Sequence, residues 1–192
     1  MGSMRESRLY ELLERIGNLL RGEQRAAGSP RGLLPVHLAA LHYLARANRY
    51  SDTPAAVAEY LGLTKGTVSQ SLQVLERAGY VGKQRDSRDG RIVRLRLTPR
   101  GRRLAAETDP PELLRAAMRR LGRKAAERLE QDLQELLRQM QRAHGGRSFG
   151  VCRTCRFFER GGGGFRCGLT GEPLSLSDSA LICRDHEPAP AA

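Results

Sequence analysis

The fold prediction depends on residues 61–81, which read LGLTKGTVSQSLQVLERAGYV. Val68, Leu72 and Leu75 are spaced four and then three positions apart, so a helix places them on one face. Thr64 is suited to cap the start of that helix, and the glycine after its last turn is suited to end it. A tight turn followed by an amphipathic helix is therefore predicted.

The other face of this helix carries side chains that are small or form hydrogen bonds, where a surface helix usually shows glutamate and lysine. Gln70 and Gln73 have the donor and acceptor pair that suits adenine in the major groove. Thr67 and Ser69 have hydroxyl groups that suit phosphates or base edges. We therefore predict that this helix recognises duplex DNA through the following candidate contacts: Thr64, Lys65, Thr67, Ser69, Gln70, Gln73 and Arg77.

A basic hairpin follows the helix. Residues 86–90 read DSRDG, which indicates a turn, and the basic residues Arg91, Arg94 and Arg96 alternate imperfectly with the apolar residues of the returning strand. The order helix, turn, helix and hairpin is that of a winged helix-turn-helix, in which the hairpin lies over the DNA backbone. Arg88 or Arg91 is placed to enter a narrow minor groove. The alternative is a helical surface with a solvated basic loop. The candidate contacts on the hairpin are Lys83, Arg85, Arg88 and Arg91.

The flanking segments complete the domain organisation. Leucines at helical spacing predict a long first helix, and the Pro110-Pro111 pair must interrupt a later one. Asp52 or Thr53 can cap the short helix that ends before Gly62. The predicted fold is mainly α with a small β-wing: a winged helix-turn-helix, a helical dimerisation region and a small cofactor-bound tail domain. The predicted regions are an N-terminal dimerisation helix at 5–34, the DNA-binding domain at 35–98, C-terminal dimerisation helices at 99–144, a four-cysteine domain at 148–187 and a disordered tail at 188–192.

Between Leu9 and Ala143 the sequence resembles the MarR family. The resemblance implies a homodimer with intertwined terminal helices, which binds a near-palindromic operator with its recognition helices about one DNA turn apart. It also implies that Asp89 holds Arg91 in place for the minor groove. The segments that carry the resemblance are LGLTKGTVS at 61–69, LERAGYV at 75–81, DSRDGR at 86–91 and LTPRG at 97–101.

Two positions depart from the family pattern. Gln70 stands where the family often has arginine, which predicts a different base preference, and Pro110-Pro111 breaks a helix that is usually longer. Many members of the family bind small aromatic effectors. His37, His42 and Tyr43 are candidates to line such an effector pocket here, although such residues are more often ordinary semi-buried ones.

The charge favours a polyanionic partner. There are 33 Lys and Arg against 21 Asp and Glu, giving a net charge of +12, although a GC-rich genome also enriches arginine. No apolar run approaches the ~18 residues of a membrane span, and the N-terminus lacks the apolar stretch of a secretory signal. We therefore expect a cytoplasmic protein without membrane association. No nucleophile triad, phosphate loop or carboxylate pair is evident, so we expect no enzymatic activity.

The four cysteines lie in the last quarter of the chain, as one CxxC pair followed by two single residues. A chain without an export signal is expected in a reducing compartment, so this cluster predicts metal ligands before disulfides. Structural zinc sites usually contain two closely spaced pairs, so this spacing favours a [4Fe–4S] cluster over one Zn²⁺, with a thiol–disulfide switch as a third alternative. The segment is also similar to small cluster-binding subunits of certain glycyl-radical enzymes. The candidate ligands are Cys152, Cys155, Cys167 and Cys183, and His186 is expected on the surface. Apolar side chains of the segment are expected to form a shell around a cluster: Phe157, Phe158, Phe165, Leu169, Leu174, Leu176, Leu181 and Ile182.

These features together predict a DNA-binding transcriptional regulator, expected to be a repressor, whose operator binding responds to redox, oxygen or iron–sulfur status through the cluster. One alternative is a regulator with a structural zinc site and a small-molecule effector. Another is a less specific module that docks on nucleic acid or protein.

Overall fold

The computed structural model describes residues 2–87, 89–145, 147–161 and 164–189, apart from the side chains of Ser3 and His144. It is mainly helical with one small two-stranded wing, which confirms the predicted fold class of the DNA-binding part. The helices are α1 Gly2–Gly28, α2 Pro35–Arg46, α3 Pro54–Leu61, α4 Lys65–Arg77, α5 Pro99–Thr108, α6 Glu112–Leu121, α7 Arg123–His144 and α8 Leu176–Ser179; the strands are β1 Val81–Arg85, β2 Val93–Leu97, β3 Phe158–Gly161, β4 Gly164–Cys167 and β5 Pro173–Leu174.

Helices α3 and α4 form the helix-turn-helix. Gly62 ends α3 with a φ of 63°, a left-handed conformation that glycine adopts without strain. Thr64 then caps α4, because its side chain accepts a hydrogen bond from the backbone N–H of Thr67. Thr53 caps α3 in the same way, whereas Asp52, the other cap considered from the sequence, is buried and paired with arginines.

The apolar face of α4 packs into the core of the DNA-binding domain. Val68, Leu72 and Leu75 are at most 2% exposed, as their spacing predicts. Burying an aliphatic side chain of this size stabilises a fold by about 1.5–3 kcal/mol. The core therefore fixes α4 in one rotational setting and leaves its polar face outward. Other members of this core are Leu38, Leu41, Tyr43, Val57 and Leu95.

The wing is an antiparallel pair that begins with Val81 opposite Leu97 and ends with Arg85 opposite Val93. Two contacts fix its position on the domain. The Leu95 N–H donates to the carbonyl of Asp52 at 2.7 Å, which joins the wing to the turn before α3. At the other end, a Cβ added to Gly101 would lie 2.1 Å from the Tyr80 carbonyl oxygen, so only glycine lets α5 pack this closely.

Helices α1, α6 and α7 leave much of their apolar side chains exposed. In α1, Ile16 and Leu19 are 51% and 61% exposed, and in α7, Leu137 and Met140 are 55% and 57% exposed. The break predicted at the proline pair separates α5 from α6, and Gly122 separates α6 from α7. No helix in the described ranges is long and apolar enough to cross a membrane.

The cysteine segment, residues 147–189, packs on the DNA-binding domain of its own chain. Its strands form an antiparallel sheet in the order β3-β4-β5. Ile182 bridges Ala47 at the end of α2 and belongs to the main core. Phe149 packs edge-on against Tyr60, with ring centroids 5.3 Å apart. The segment expected as a separate domain thus shares its core with the helix-turn-helix.

Two sequence expectations fail at the end of this segment. His186, expected on the surface, is 8% exposed and contacts Ser148 and Thr154 through its ring nitrogens. The disordered tail expected at 188–192 does not hold for its first two residues, because Pro188 bridges Cys155 and the Ala189 N–H donates to Thr154. Both residues follow a buried histidine that anchors them. Residues 190–192 lie outside the described residues.

Candidate DNA-binding surface and cysteine pocket

Every candidate contact predicted on α4 and at its cap is exposed, and Ser69, Gln70, Gln73 and Arg77 lie on the face opposite the core. The Thr64 and Thr67 hydroxyl oxygens are 2.9 Å apart at the start of the helix, which fixes the two side chains relative to each other. Gln70 and Gln73 lie one turn apart on the exposed face. This arrangement presents amide and hydroxyl groups in a row along a helix that is free to enter a groove.

On the wing, Asp89 and Arg91 form the pair that the family resemblance implies. The carboxylate of Asp89 accepts from Arg91 Nε at 3.0 Å and Nη2 at 2.9 Å, and these bonds lower the pKa of Asp89. The Arg91 side chain is nevertheless 91% exposed. Arg85 is exposed as well, while Lys83 is held 2.7 Å from Glu76. Arg88 lies outside the described residues.

The sequence did not predict a partly buried ion-pair network at the base of the wing, which is centred on the buried Asp52. Arg94 Nε donates to Asp86 at 2.7 Å, and its Nη1 donates to Asp52 at 3.0 Å. Arg96 Nη1 lies 2.8 Å from the second carboxylate oxygen of Asp52. Burial raises the pKa of Asp52 above its usual value, although both arginines oppose that shift. Arg94, counted in the sequence as wing charge, therefore positions the wing instead of facing DNA.

The three candidates for an effector pocket are each engaged within the chain. His37 Nδ1 accepts from the Leu34 N–H at 3.0 Å, and His42 Nε2 lies 2.7 Å from the hydroxyl oxygen of Thr108. Tyr43 is fully buried and donates to the Ser51 carbonyl at 2.9 Å. These partners give all three side chains a structural role.

The four cysteines predicted as ligands come together around one small cavity. All four are free thiols. Aromatic and aliphatic side chains form most of the remaining wall, as the sequence predicted for Phe157, Phe158, Leu169 and Leu174. Leu176, expected in the same wall, is instead 75% exposed, and Ile182 has joined the main core.

The geometry of the cavity differs from a preformed site for a single ion. Among the residues that the structure describes, no group of three His, Cys, Asp or Glu side chains is close enough together to hold one metal ion. Cys152 and Cys183 share a hydrogen bond, and all four cysteines line the cavity from different positions of the segment. Cys152 follows directly on Val151 at the bridge to Ile182, Cys155 bridges Pro188, and Cys167 ends β4.

Hydrogen bonds polarise two of the thiols. The Asn48 side-chain amide donates to Cys152 Sγ at 3.5 Å. The hydrogen bond from Cys152 lowers the pKa of Cys183, and the bonds from Asn48 and from the backbone N–H of Asp185 act in the same direction. The same contact raises the pKa of Cys152. The Cys183 sulfur is thus the one that this environment stabilises as a thiolate.

Known proteins with similar sequences and folds are transcription regulators. A sequence profile described as the MarR family matches residues 31–92. The HTH-type transcriptional repressor Rv2887 of Mycobacterium tuberculosis (strain ATCC 25618 / H37Rv) is 34% identical over 109 residues, which cover 57% of this chain and 77% of Rv2887.

Two solved structures extend the likeness in fold. The S. aureus MepR–DNA complex has a TM-score of 0.57 at 22% identity and covers 68% of this chain and 96% of MepR. Streptococcus pneumoniae FabT in complex with DNA has a TM-score of 0.58 at 25% identity and covers 72% of this chain and 99% of FabT. The chain therefore belongs to the MarR family of winged helix-turn-helix transcription regulators.

Proposed function

We propose that the protein is a cytoplasmic transcriptional repressor that binds a near-palindromic DNA operator as a homodimer. The observation that carries this proposal is the single exposed surface formed by α4 and the wing, with Gln70 and Gln73 on the helix and Arg91 at the hairpin. The similar protein Rv2887 is described as a repressor. Repression follows when a dimer on the operator excludes other proteins from that DNA.

The proposed dimer uses the exposed apolar faces of the terminal helices. The 22 residues of α7 extend about 33 Å, with leucines along one side. Leu129, Leu133 and Leu137 recur every four residues there and are 40–55% exposed. A second copy would cover this stripe together with α1 and would set the distance between the two recognition helices.

Selection of bound duplexes from a random library tests the DNA-binding proposal. We expect a near-palindromic consensus whose half-sites lie about one helical turn apart. Gln70→Ala should relax the preferred base at a single position of each half-site, whereas Gln139→Ala, an exposed glutamine on α7, should not. Equal binding to every duplex would contradict the proposal and would favour a non-specific docking module.

We further propose that the four cysteines hold a [4Fe–4S] cluster, and that operator binding depends on it. Four free thiols on one cavity match the number of protein ligands that a cubane or one zinc ion takes. The apolar wall and the bonds from Asn48 and the Asp185 N–H to sulfur suit the shell of such a cluster. When bound, the cluster supplies one-electron redox chemistry and sensitivity to oxygen.

The chain's own residues would hold the cofactor and keep it dry. The four cysteines would ligate the cofactor, and the phenyl rings of Phe157 and Phe158 in the cavity wall would exclude water from the sulfurs. Asn48 orients Cys152 through its amide N–H. The small number of buried side chains in this segment means that ligand bonds would provide much of its stability.

The cofactor is identified by a spectrum with iron, sulfide and zinc analysis on protein purified without oxygen. Absorption near ~400 nm with about four irons per chain supports the cluster. A colourless solution with one zinc per chain would indicate a structural zinc site in place of the cluster, and it would favour a small-molecule effector as the signal. A disulfide without metal would support the thiol switch.

A further inference from the structure

The turn formed by residues 48–52 joins α2 to α3 and touches both functional regions. Its first and fourth residues lie against the cysteine segment, and its second and last residues hold the base of the wing. We propose that this turn transmits the state of the cysteine pocket to the wing, so that loss of the pocket's occupant displaces the wing and weakens operator binding. This inference rests on the proposed function.

On the cysteine side, the turn is held by buried hydrogen bonds. Asn48 is 3% exposed, and its amide donates to Cys152 Sγ at 3.5 Å. Ser51 is fully buried, and its hydroxyl oxygen accepts from the Arg184 N–H, directly after Cys183, at 2.7 Å. The Ser51 hydroxyl itself donates to the Asn48 side-chain oxygen at 2.7 Å. The polar groups of the turn thus contact one thiol, that of Cys152, and the residue that follows a second thiol, that of Cys183.

On the wing side, the same turn supplies three acceptors to β2. The Asp52 carboxylate pairs with Arg94 and Arg96, and the Asp52 carbonyl accepts from the Leu95 N–H. The Arg49 carbonyl accepts from Arg94 Nη1 at 2.8 Å. Arg94 continues to Asp86, whose carboxylate accepts from the Asp89 N–H at 3.1 Å.

These bonds form a continuous path from thiol to minor-groove arginine. Asp89 is the residue that positions Arg91, so hydrogen bonds and ion pairs link the pocket to Arg91, joined by the backbone of the turn between Asn48 and Asp52. The path is short in space although Asn48 and Cys152 are 104 positions apart in sequence. It enters the DNA-binding surface through the wing.

The state of the pocket matters because Asn48 and Ser51 are buried. If the segment that holds Cys152 and Arg184 loosens, the polar atoms of Asn48 and Ser51 lose hydrogen-bond partners at a buried position. The turn must then rearrange to satisfy these atoms. A rearranged turn then moves the acceptors of Arg94.

An alternative route from the cysteine pocket to the DNA-binding surface runs through the dimerisation helix, where Gln141 of α7 donates to the Ser148 carbonyl at 3.0 Å.

Hydrogen exchange of the full-length protein without DNA tests the path, comparing protein as purified without oxygen with the same protein after chelation of its metal. We expect the Leu95 amide and its neighbours in β2 to exchange at least tenfold faster after chelation. In Ser51→Ala this ratio should fall close to one, while the metal content stays unchanged.

Ser179→Ala is the matched control, because Ser179 is also buried and its hydroxyl donates within the cysteine segment, to Leu176. Chelation should accelerate β2 exchange in Ser179→Ala by the same factor as in the unmodified protein. Unchanged β2 exchange together with a changed operator affinity would overturn the path, leave the proposed function standing and favour the route through α7.

If the purified protein holds no metal, the cofactor part of the proposed function fails, and the pocket is perturbed with Cys152→Ala instead. Faster β2 exchange in that variant would still support the path. Unchanged exchange there would overturn it as well.

Discussion

The DNA-binding domain and the cysteine segment are stabilised in different ways. In the former, Leu72 and Leu75 are at most 1% exposed and belong to a core shared by four helices and the wing. In the latter, Cys152, Leu174 and Ile182 are each 8% exposed, and Ile182 packs into the other region's core. The first region therefore folds on its own apolar surface, whereas the second depends on docking and on whatever its thiols bind.

The largest expected effect separates these two kinds of stability. Leu72→Ala should lower the free energy of unfolding by about 2–5 kcal/mol, because it leaves a cavity in the core. Leu174→Ala should accelerate hydrogen exchange in the cysteine segment and leave the helix-turn-helix amides unchanged. Leu176→Ala, at a 75% exposed position, is the control and should change stability by no more than about 0.5 kcal/mol. Equal global losses for Leu72 and Leu174 would mean that the regions unfold as one unit.

An intermediate effect concerns charge in the two regions. Arg91→Ala should weaken operator binding by about 1–3 kcal/mol in a fluorescence titration, because Arg91 is exposed at the wing and positioned for the groove. Arg153→Ala removes the same charge from an exposed position of the cysteine segment and should have little effect. If both substitutions weaken binding equally, net charge and not the wing governs affinity.

The smallest effect concerns the contact between the regions. Arg184 donates to Glu59 of α3 and lowers the pKa of that carboxyl. Because docking lowers this pKa, the ion pair stabilises docking fully above the usual pKa of glutamate. This contribution is lost as the pH falls from there through the lowered pKa. The pair is partly exposed, so Glu59→Gln should cost only about 0.2–1 kcal/mol of docking at pH 7.

Exchange rates of the Ile182 amide, which donates to the Arg46 carbonyl, report that docking. Glu59→Gln should accelerate Ile182 exchange at pH 7 and lose this effect in acid, where the Glu59 carboxyl of the unmodified protein is protonated and is uncharged like glutamine. Glu11→Gln, in an ion pair within α1, is the control. A difference between the proteins that grows in acid would contradict the assignment.

Local patterns predicted the helices well and the contacts between regions poorly. The caps at Thr53 and Thr64, the end at Gly62 and the break at Pro110-Pro111 all follow from neighbouring residues. The bond between Asn48 and Cys152 does not, because no periodicity relates residues 104 positions apart.

The ion pairs at the base of the wing were likewise not predictable from neighbouring residues. Asp52 and Arg94 are 42 positions apart, so Asp52 was considered as a cap and Arg94 as surface charge. Arginine alternates with apolar residues in the strand VRLRL, so the pattern does not distinguish Arg94, whose side chain is 17% exposed, from Arg96, which is 59% exposed. Finding the carboxylate partner of Arg94 required the fold.

The affinity for the selected operator, measured at one fixed salt concentration with the metal present and after its removal, decides whether the cysteine pocket controls DNA binding. We predict that removal weakens binding at least tenfold, which corresponds to about 1.4 kcal/mol. Equal affinities would contradict control by the pocket and would leave a repressor whose cysteine segment serves only its stability.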